Sequence, residues 1–322
     1  MMNYIEEMRS ILEPLLEGCD SVALFDFPKH DNVGDLAIWL GEVQLIERVL
    51  GKRVIAVEHG QAQHLPELDS DIPVLLHGGG NLGDIWPLHE VFRQSVITRY
   101  PANRIILLPQ SILFSTREKL AESALMTTIH PDLHICVRDL DSVTDASVMT
   151  PAERVYLCPD MALTLGPIER KVYPTSDILI LQRSDKESAN FGAMPEGVES
   201  CDWIGTEPTF LYRLADALDN SYARYPNRLA FLLPLRAWLY KRLAQEHLVR
   251  GCNLLSKGKV VVTDRLHAHI LCSLLGIPHI VLDNSYGKID RFRKTWKTGE
   301  GLCDTAVSWD EAITKARAML HS

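Results

Sequence analysis

The chain has 322 residues, more than one hydrophobic core usually organises, so two domains are expected. Its hydrophobic content of 46% and charged content of 23% fit a soluble globular protein. The formal charge of -9 argues against sequence-independent nucleic-acid binding, which needs a basic face. Seven scattered cysteines, an odd count with no C-x-x-C spacing, read as reduced thiols of a cytosolic compartment, not as a disulfide framework or zinc site. No signal peptide is read at the N-terminus, and no apolar run is long enough to span a bilayer.

In chain order, residues 3–17 place Ile5, Met8, Leu12, Leu15 and Leu16 on one helical side, with Pro14 able to kink or end the helix. Val22 to Phe27 reads as a buried strand, followed by the polar turn Pro28 to Asp35 and a helix from about Leu36 to Leu50. Further strands are expected at 53–57, 74–77, 105–108, 134–137 and 155–157, alternating with helices at 89–100 and 116–129 and a short one after Asp139. Residues 166–176 have linker composition, and 177–181 begins a second alternation, followed by a polar loop over 184–205. Lys259 to Thr263 is a strand, Asp264 an N-cap, and Leu266, Ile270, Leu271, Leu274 and Leu275 recur at helical spacing until Gly276 and Pro278 stop them. His279 to Leu282 resumes the strand pattern, and a terminal helix over 309–320 has Ser308 and Glu311 spaced as a capping box. The alternation predicts an α/β chain of two Rossmann-like, doubly wound domains, 1–168 and 169–322, with the terminal helix free to pack back on the first.

Ligands of open parallel sheets sit beyond the carboxyl ends of the strands. The loops 28–35, 77–84, 109–111, 182–185, 264–267 and 283–288 all fall there, so one cleft between the domains would gather them. Arg265 and His267 lie in a first helical turn, where free backbone N–H groups and the dipole favour an anion, and Asn284, Ser285, Tyr286 and Lys288 follow the next strand. Gly78-Gly79-Gly80-Asn81-Leu82-Gly83 matches G-x-G-x-x-G but lacks the acidic ribose-binding residue about 20 positions on. It reads as a close-approach loop for a neutral, hydroxyl-rich ligand or as a tight turn needing positive φ. Asp35 can hold its carboxylate over a sugar hydroxyl as acceptor or base, or serve its own helix start. Spacing leaves both His267 and His269 open, although as a metal pair they diverge on a helix. Residues 228–259 carry seven Lys/Arg, several apolar residues including Trp238, and one acid, Glu246. That stretch is either a core-facing helix with a basic rim or a helix lying on an anionic membrane surface.

Asp31-Asn-Val-Gly-Asp35, His77-Gly-Gly-Gly-Asn-Leu-Gly-Asp84, Leu108-Pro-Gln-Ser111, Val137-Arg-Asp139, Pro159-Asp-Met-Ala162, Arg265-Leu-His267 and Asp283-Asn-Ser-Tyr-Gly-Lys288 run in order over most of the chain. As a set they resemble the polysaccharide pyruvyl transferases, closest to the bacterial exopolysaccharide branch that ketal-pyruvylates sugars. The resemblance implies two domains facing a central cleft as in GT-B glycosyltransferases. It implies phosphoenolpyruvate as donor, a sugar or lipid-linked oligosaccharide as acceptor, no cofactor and no metal. The Arg-Leu-His motif falls on Arg265, Leu266 and His267, implying donor binding by the arginine and general-acid catalysis by the histidine, which favours His267 over His269. A second donor-binding arginine falls on Arg183. Asn284, Ser285, Tyr286 and Lys288 join the donor side; Asp35 is the expected base; Asn32, Gly34, Gly79, Gly80, Asn81, Asp84 and Gln110 form the acceptor side. The expected product is a pyruvate ketal, with phosphate released. The rival readings are a nucleotide-sugar glycosyltransferase of GT-B type and a non-catalytic sugar or phosphate sensor. The expected setting is cytoplasmic, with peripheral contact at the inner face of the membrane through 228–259, in exopolysaccharide, capsule or biofilm biosynthesis.

Overall fold

The computed structural model describes residues 3–62, 64–184, 189–193, 200–205, 209–283 and 287–321. In chain order it runs α1 (Tyr4–Leu15), β1 (Ser21–Phe27), α2 (Val33–Gln44), β2 (Arg53–His59), β3 (Val74–Leu76), β4 (Gly79–Gly83), α3 (Pro87–Arg99), β5 (Ile105–Leu113), α4 (Arg117–Thr127), β6 (Leu133–Val137), α5 (Asp141–Met149) and β7 (Val155–Leu157). It continues with β8 (Ser176–Leu181), β9 (Ser200–Cys201), α6 (Phe210–Arg224), α7 (Pro226–Leu229), α8 (Leu233–Ser256), β10 (Gly258–Thr263), α9 (Leu266–Leu275), β11 (His279–Leu282), α10 (Lys288–Trp296), β12 (Cys303–Ala306) and α11 (Trp309–Met319).

The strands form two parallel sheets, one in the order β2-β1-β3-β5-β6-β7 with β4 also paired to β5, the other in the order β12-β11-β10-β8-β9. This is the expected α/β class of two Rossmann-like, doubly wound units. Central strands such as β1 and β6 are buried along their whole length, as parallel strands covered on both faces must be. In the first sheet the order reverses between β1 and β3; in the second it reverses between β8 and β10. Those two switch points are where doubly wound sheets open a crevice at their carboxyl ends.

Cα packing divides the chain into one unit of residues 1–30, 38–164 and 207–245 and another of 31–37, 165–206 and 246–322. A single cut at 168/169 follows the sequence, whereas the packing interleaves it. The cause at 207–245 is a buried ion cluster. Arg236, 1% exposed on α8, donates to both Glu58 oxygens at 2.7 and 2.8 Å and to Asp219 of α6 at 3.0 Å. Tyr240 donates to the same Asp219 at 2.8 Å, and Lys29 pairs with it at 2.9 Å. Burial alone would push the Arg236 guanidinium down, but Glu58, Tyr240 and Asp219 together hold it above its usual range.

Two expectations are corrected. The glycine stretch after β3 is a strand, β4, not a loop. The helix expected from Leu36 starts at Val33. The terminal helix α11 packs on its own unit's sheet through Trp309, Ala312, Ile313 and Ala316. Its cap is as read: Ser308 accepts from the Glu311 N–H, while the Glu311 carboxylate accepts from the Val307 N–H. Helices α6 and α10 and strands β9 and β12 were not anticipated.

Removing one member of a buried charge cluster leaves the others uncompensated. Arg236→Ala is therefore expected to destabilise the first unit by about 3–5 kcal/mol, read as a lower urea midpoint; a loss below about 1 kcal/mol would show that the cluster is not what anchors 207–245.

Candidate active site

In the second unit, the switch point brings together the ends of β8 and β10. Asp264, fully buried, does not cap α9 as expected; the Thr263 hydroxyl accepts from the Arg265 N–H instead, at 3.1 Å. The Asp264 carboxylate accepts from the Arg183 backbone N–H at 2.8 Å, fastening the loop after β8 to the end of β10. Burial pushes the Asp264 carboxyl up to about 6, against the lowering effect of the Arg183 N–H and of the Arg183 and Arg265 charges. Arg265, 3% exposed, stands at the N-cap of α9 and donates to Asp202 at 2.7 Å. Asp202 also accepts from the backbone and hydroxyl of Ser184 at 3.0 and 2.8 Å. Asp202 was missed in the sequence because it lies in an otherwise uninformative polar stretch.

His267 is in the first turn of α9, partly exposed. Its ring lies against Gly34: a methyl group there would stand 2.6 Å from His267 Nδ1 and 2.8 Å from Cγ. Asn32 shapes this shelf by accepting from the Gly34 N–H at 3.1 Å and donating to Asp35 at 2.7 Å. Asn32, Gly34 and Asp35 thus belong with His267 in the second unit, not with the glycine strand of the first. Lys288 opens α10 and is 8% exposed. Asn284, Ser285 and Tyr286 lie outside the described residues.

In the first unit, Gly79, Gly80 and Asn81 lie on β4. Gly79 and Gly83 have φ of 118° and 143°, which favour glycine, and a methyl at Gly83 would fall 1.8 Å from the Leu113 carbonyl oxygen, so close strand packing also accounts for Gly83. The buried Glu42 accepts from the Gly78 N–H at 2.8 Å and contacts His77 Nδ1 at 2.9 Å. Gln110, with no exposed surface, donates to the His77 carbonyl at 2.5 Å and braces the strand from behind. Asn81 accepts from the buried Arg93 at 2.9 Å. Asp84 is engaged by Ser115 through its N–H, at 2.8 Å, and its hydroxyl. Burial works to raise the Asp84 carboxyl, but the Ser115 hydrogen bonds outweigh it and hold it below the usual range.

Beside this strand is a cavity of about 230 Å³ bordered by Phe27, Lys29, His59, Gly60, Trp86 and His89. Asp26, buried at the end of β1 with a φ of 69°, places both carboxylate oxygens 3.0 Å from His89 Nδ1. Only a glycine at position 60 leaves room for that carboxylate, since a methyl would stand 2.3 Å from Asp26 Oδ1. A carboxylate facing Nδ1 requires the proton there, which leaves the lone pair of a neutral His89 on Nε2. A non-glycine residue in the left-handed region at a cavity wall marks a position held against its preference. The two residues of this dyad are 63 positions apart, so no local pattern marks it.

His269, the alternative to His267, points into the core and is fully buried. Its Nδ1 is 2.7 Å from His279 Nε2 and its Nε2 is 2.7 Å from the Thr298 hydroxyl. His279 Nδ1 faces the Ile277 carbonyl at 2.8 Å. That carbonyl can only accept, so the tautomers follow in turn: His279 donates to Ile277, His269 Nδ1 donates to His279, and Thr298 donates to His269. With Cys303, these rings also bring three metal-ligating atoms within 4.8 Å of one another. Two nitrogens of a tetrahedral zinc stand about 3.3 Å apart, so the 2.7 Å spacing is that of a hydrogen bond.

The profile of the family described as "Polysaccharide pyruvyl transferase" matches residues 32–286. Pyruvyl transferase 1 of Schizosaccharomyces pombe is 33% identical over 321 residues, covering 94% of this chain and 76% of its own length. EpsO of Bacillus subtilis is 31% identical over 282 residues, covering 85% of this chain and 84% of its own. A crystal structure of a functionally uncharacterized protein from Klebsiella pneumoniae matches with a TM-score of 0.62 at 18% identity, over 95% of this chain and 99% of that one, which supports the fold.

The buried imidazoles carry a pH signature. Burial lowers His279 to about 4 from an ordinary 6.5, and burial, together with the His279 and Arg293 charges, depresses His269 as well. Both must stay neutral in the folded state. Stability is then fully present above about pH 6.5 and is lost as pH falls toward 4, because the unfolded chain takes up protons that the folded chain refuses. For His279 alone the expected loss between pH 7 and pH 5 is about 2 kcal/mol. Urea midpoints at the two pH values should show a smaller drop in His279→Gln than in the parent; equal drops would count against the neutral pair.

Proposed function

We propose that this chain, which belongs to the polysaccharide pyruvyl transferase family, transfers pyruvate from phosphoenolpyruvate to a sugar of an exopolysaccharide precursor, forming a ketal and releasing phosphate. The observation that carries the donor side is the gathering of Arg183, Arg265 and His267 at the switch point of the second sheet, around the N-terminus of α9. Phosphoenolpyruvate presents a phosphate and a carboxylate, and forked guanidinium donors with a helix N-terminus suit both. His267 protonates the methylene carbon, producing an oxocarbenium-like centre at C2. One sugar hydroxyl adds to C2 and loses its proton to Asp35. A second hydroxyl then displaces phosphate, its proton leaving with the phosphate, and closes the cyclic ketal. Lys288 and, outside the described residues, Asn284, Ser285 and Tyr286 complete the donor side of this reading.

The acceptor sugar is read at the cavity of the first unit, where Trp86 offers a ring face and the Asp26–His89 dyad an oriented proton acceptor. Gly80 and Asn81, partly exposed on β4, adjoin His89 and extend that polar wall. The setting we infer is the cytoplasm, at the inner face of the membrane. No helix of the described residues is long and apolar enough to cross a bilayer.

Phosphate release from phosphoenolpyruvate should depend on a competent sugar acceptor, and nucleotide sugars should not substitute for the donor; consumption of a nucleotide sugar instead would overturn the reading. His267→Ala is expected to lower kcat by about 100- to 10,000-fold without a change in Tm. Gly34→Ala should also reduce kcat, because its methyl group displaces the His267 ring, while leaving the KM for donor nearly unchanged. A Gly34→Ala enzyme with parental kcat would remove Gly34 from the catalytic arrangement.

A further inference from the structure

The exposed face of the α7–α8 segment differs from the rest of this acidic chain. Arg228, Phe231, Leu235, Trp238 and Arg242 follow one another at steps of three and four residues and are all exposed. Phe231 is 73% and Trp238 49% exposed, unusual for large apolar side chains. The opposite side of α8 buries Arg236, Leu239, Tyr240 and Leu243. The Arg242 guanidinium lies 5.6 Å from the Trp238 ring centroid, so a cation and an indole are presented side by side. The end of α6 adds exposed Arg224 and Tyr225 next to this stripe in sequence.

The structure also sorts the cations of 228–259. Arg236 is consumed by Glu58 and Asp219, Lys241 pairs with Glu47, and Lys259 pairs with Asp177. Arg250 is turned onto the carbonyls of Asp31 and Trp203. Among the described residues, Arg224, Arg228 and Arg242 have no carboxylate within ion-pair distance. Lys257, just after α8, is exposed as well, so of the segment's exposed and unpaired cations it is Arg228 and Arg242 that stand within the aromatic stripe.

We infer that this stripe, Arg228-Phe231-Leu235-Trp238-Arg242, docks the protein on an anionic bilayer surface, with the aromatic and leucine side chains in the headgroup boundary and the arginines on lipid phosphates. Aromatic side chains at the headgroup level, flanked by arginines, form the chemistry of an interfacial helix. A second copy of the chain fits less well. An isologous contact through this face would bring arginine against arginine. The formal charge of -9 makes the placement more telling, since a chain that is acidic overall presents arginines beside its exposed aromatic side chains here. The docking is independent of the transfer reading, and either can fail alone.

The test is flotation of the intact protein with vesicles of pure phosphatidylcholine and of phosphatidylcholine mixed equally with phosphatidylglycerol. The protein should float with the mixed vesicles, and raised salt should release it. Phe231→Glu/Trp238→Glu and Arg228→Glu/Arg242→Glu should each lower the bound fraction about tenfold, with Tm and transfer to a soluble acceptor unchanged. The inference is overturned if the parent protein stays in solution with the mixed vesicles, if it floats equally with pure phosphatidylcholine, or if both double variants bind like the parent. A concentration-dependent dimer that disappears in the variants, without vesicle binding, would assign the stripe to a second copy and equally overturn it.

Discussion

The 2.7 Å ion pair between Arg265 and Asp202 ties together the carboxyl-end loops of the second unit. A guanidinium this deeply buried needs a negative partner, and Asp202 supplies it while also receiving both Ser184 donors. One carboxylate therefore joins the loop after β8 to the start of α9. An anion arriving at that point must share or displace Asp202. A singly charged ligand gains little by exchanging one carboxylate for another. On the proposed reading, the donor's phosphate and carboxylate engage the Arg265 fork and Arg183 together, adding charge-assisted hydrogen bonds to offset the contact given up. Asp264 contributes from the other side by fixing the Arg183 backbone, so the two arginines are positioned by two different carboxylates.

Much of the framework is legible in the sequence because it rests on local signals. β1 is apolar apart from Ser21 and Asp26, α9 has helical spacing and a glycine stop, and α11 has its capping pair. Gly276 ends α9 in the left-handed conformation, with the Ile277 N–H bonded to the Cys272 carbonyl at 2.9 Å. The failures are all decided at long range. Asp264 sits where an N-cap would, yet its acceptor is spent on Arg183, 81 residues away. Asp26 and His89 are 63 residues apart, Arg236 and Glu58 178. No periodicity records such partnerships. The basic segment shows the same limit: counting charges found seven cations, while only the fold separates those already neutralised from those facing solvent.

The glycine stretch was ambiguous for a different reason: the same spacing serves a ligand loop and a tightly packed strand. Strand β5 pairs first with β3, at Leu107 and Leu76, and then with β4, at Gln110 and Gly79. Between them the chain jogs at His77 and Gly78, where the ladder cannot satisfy every backbone group. Glu42 takes the Gly78 N–H and Gln110 supplies the His77 carbonyl, so side chains replace the missing ladder bonds. Gly78 and Gly83 are explained by this packing. Gly80 and Asn81 are partly exposed on the same strand.

The direction of His267 is set from inside the second unit. His269 lies two residues further along α9, about 200° around the helix axis, so a rotation that moves one ring moves the other. The inner contact of His269 is a chain of directional hydrogen bonds through His279 and Thr298. Apolar packing would tolerate small rotations; a donor–acceptor chain with fixed tautomers resists them. Placement errors near 1 Å at a reacting group can reduce turnover by about a hundredfold, so in the proposed reaction a rotational lock on α9 has a chemical consequence at its other face. The lock holds only while both imidazoles are neutral. The depressed proton affinity that weakens the fold in acid is thus a property of the same contacts that aim His267.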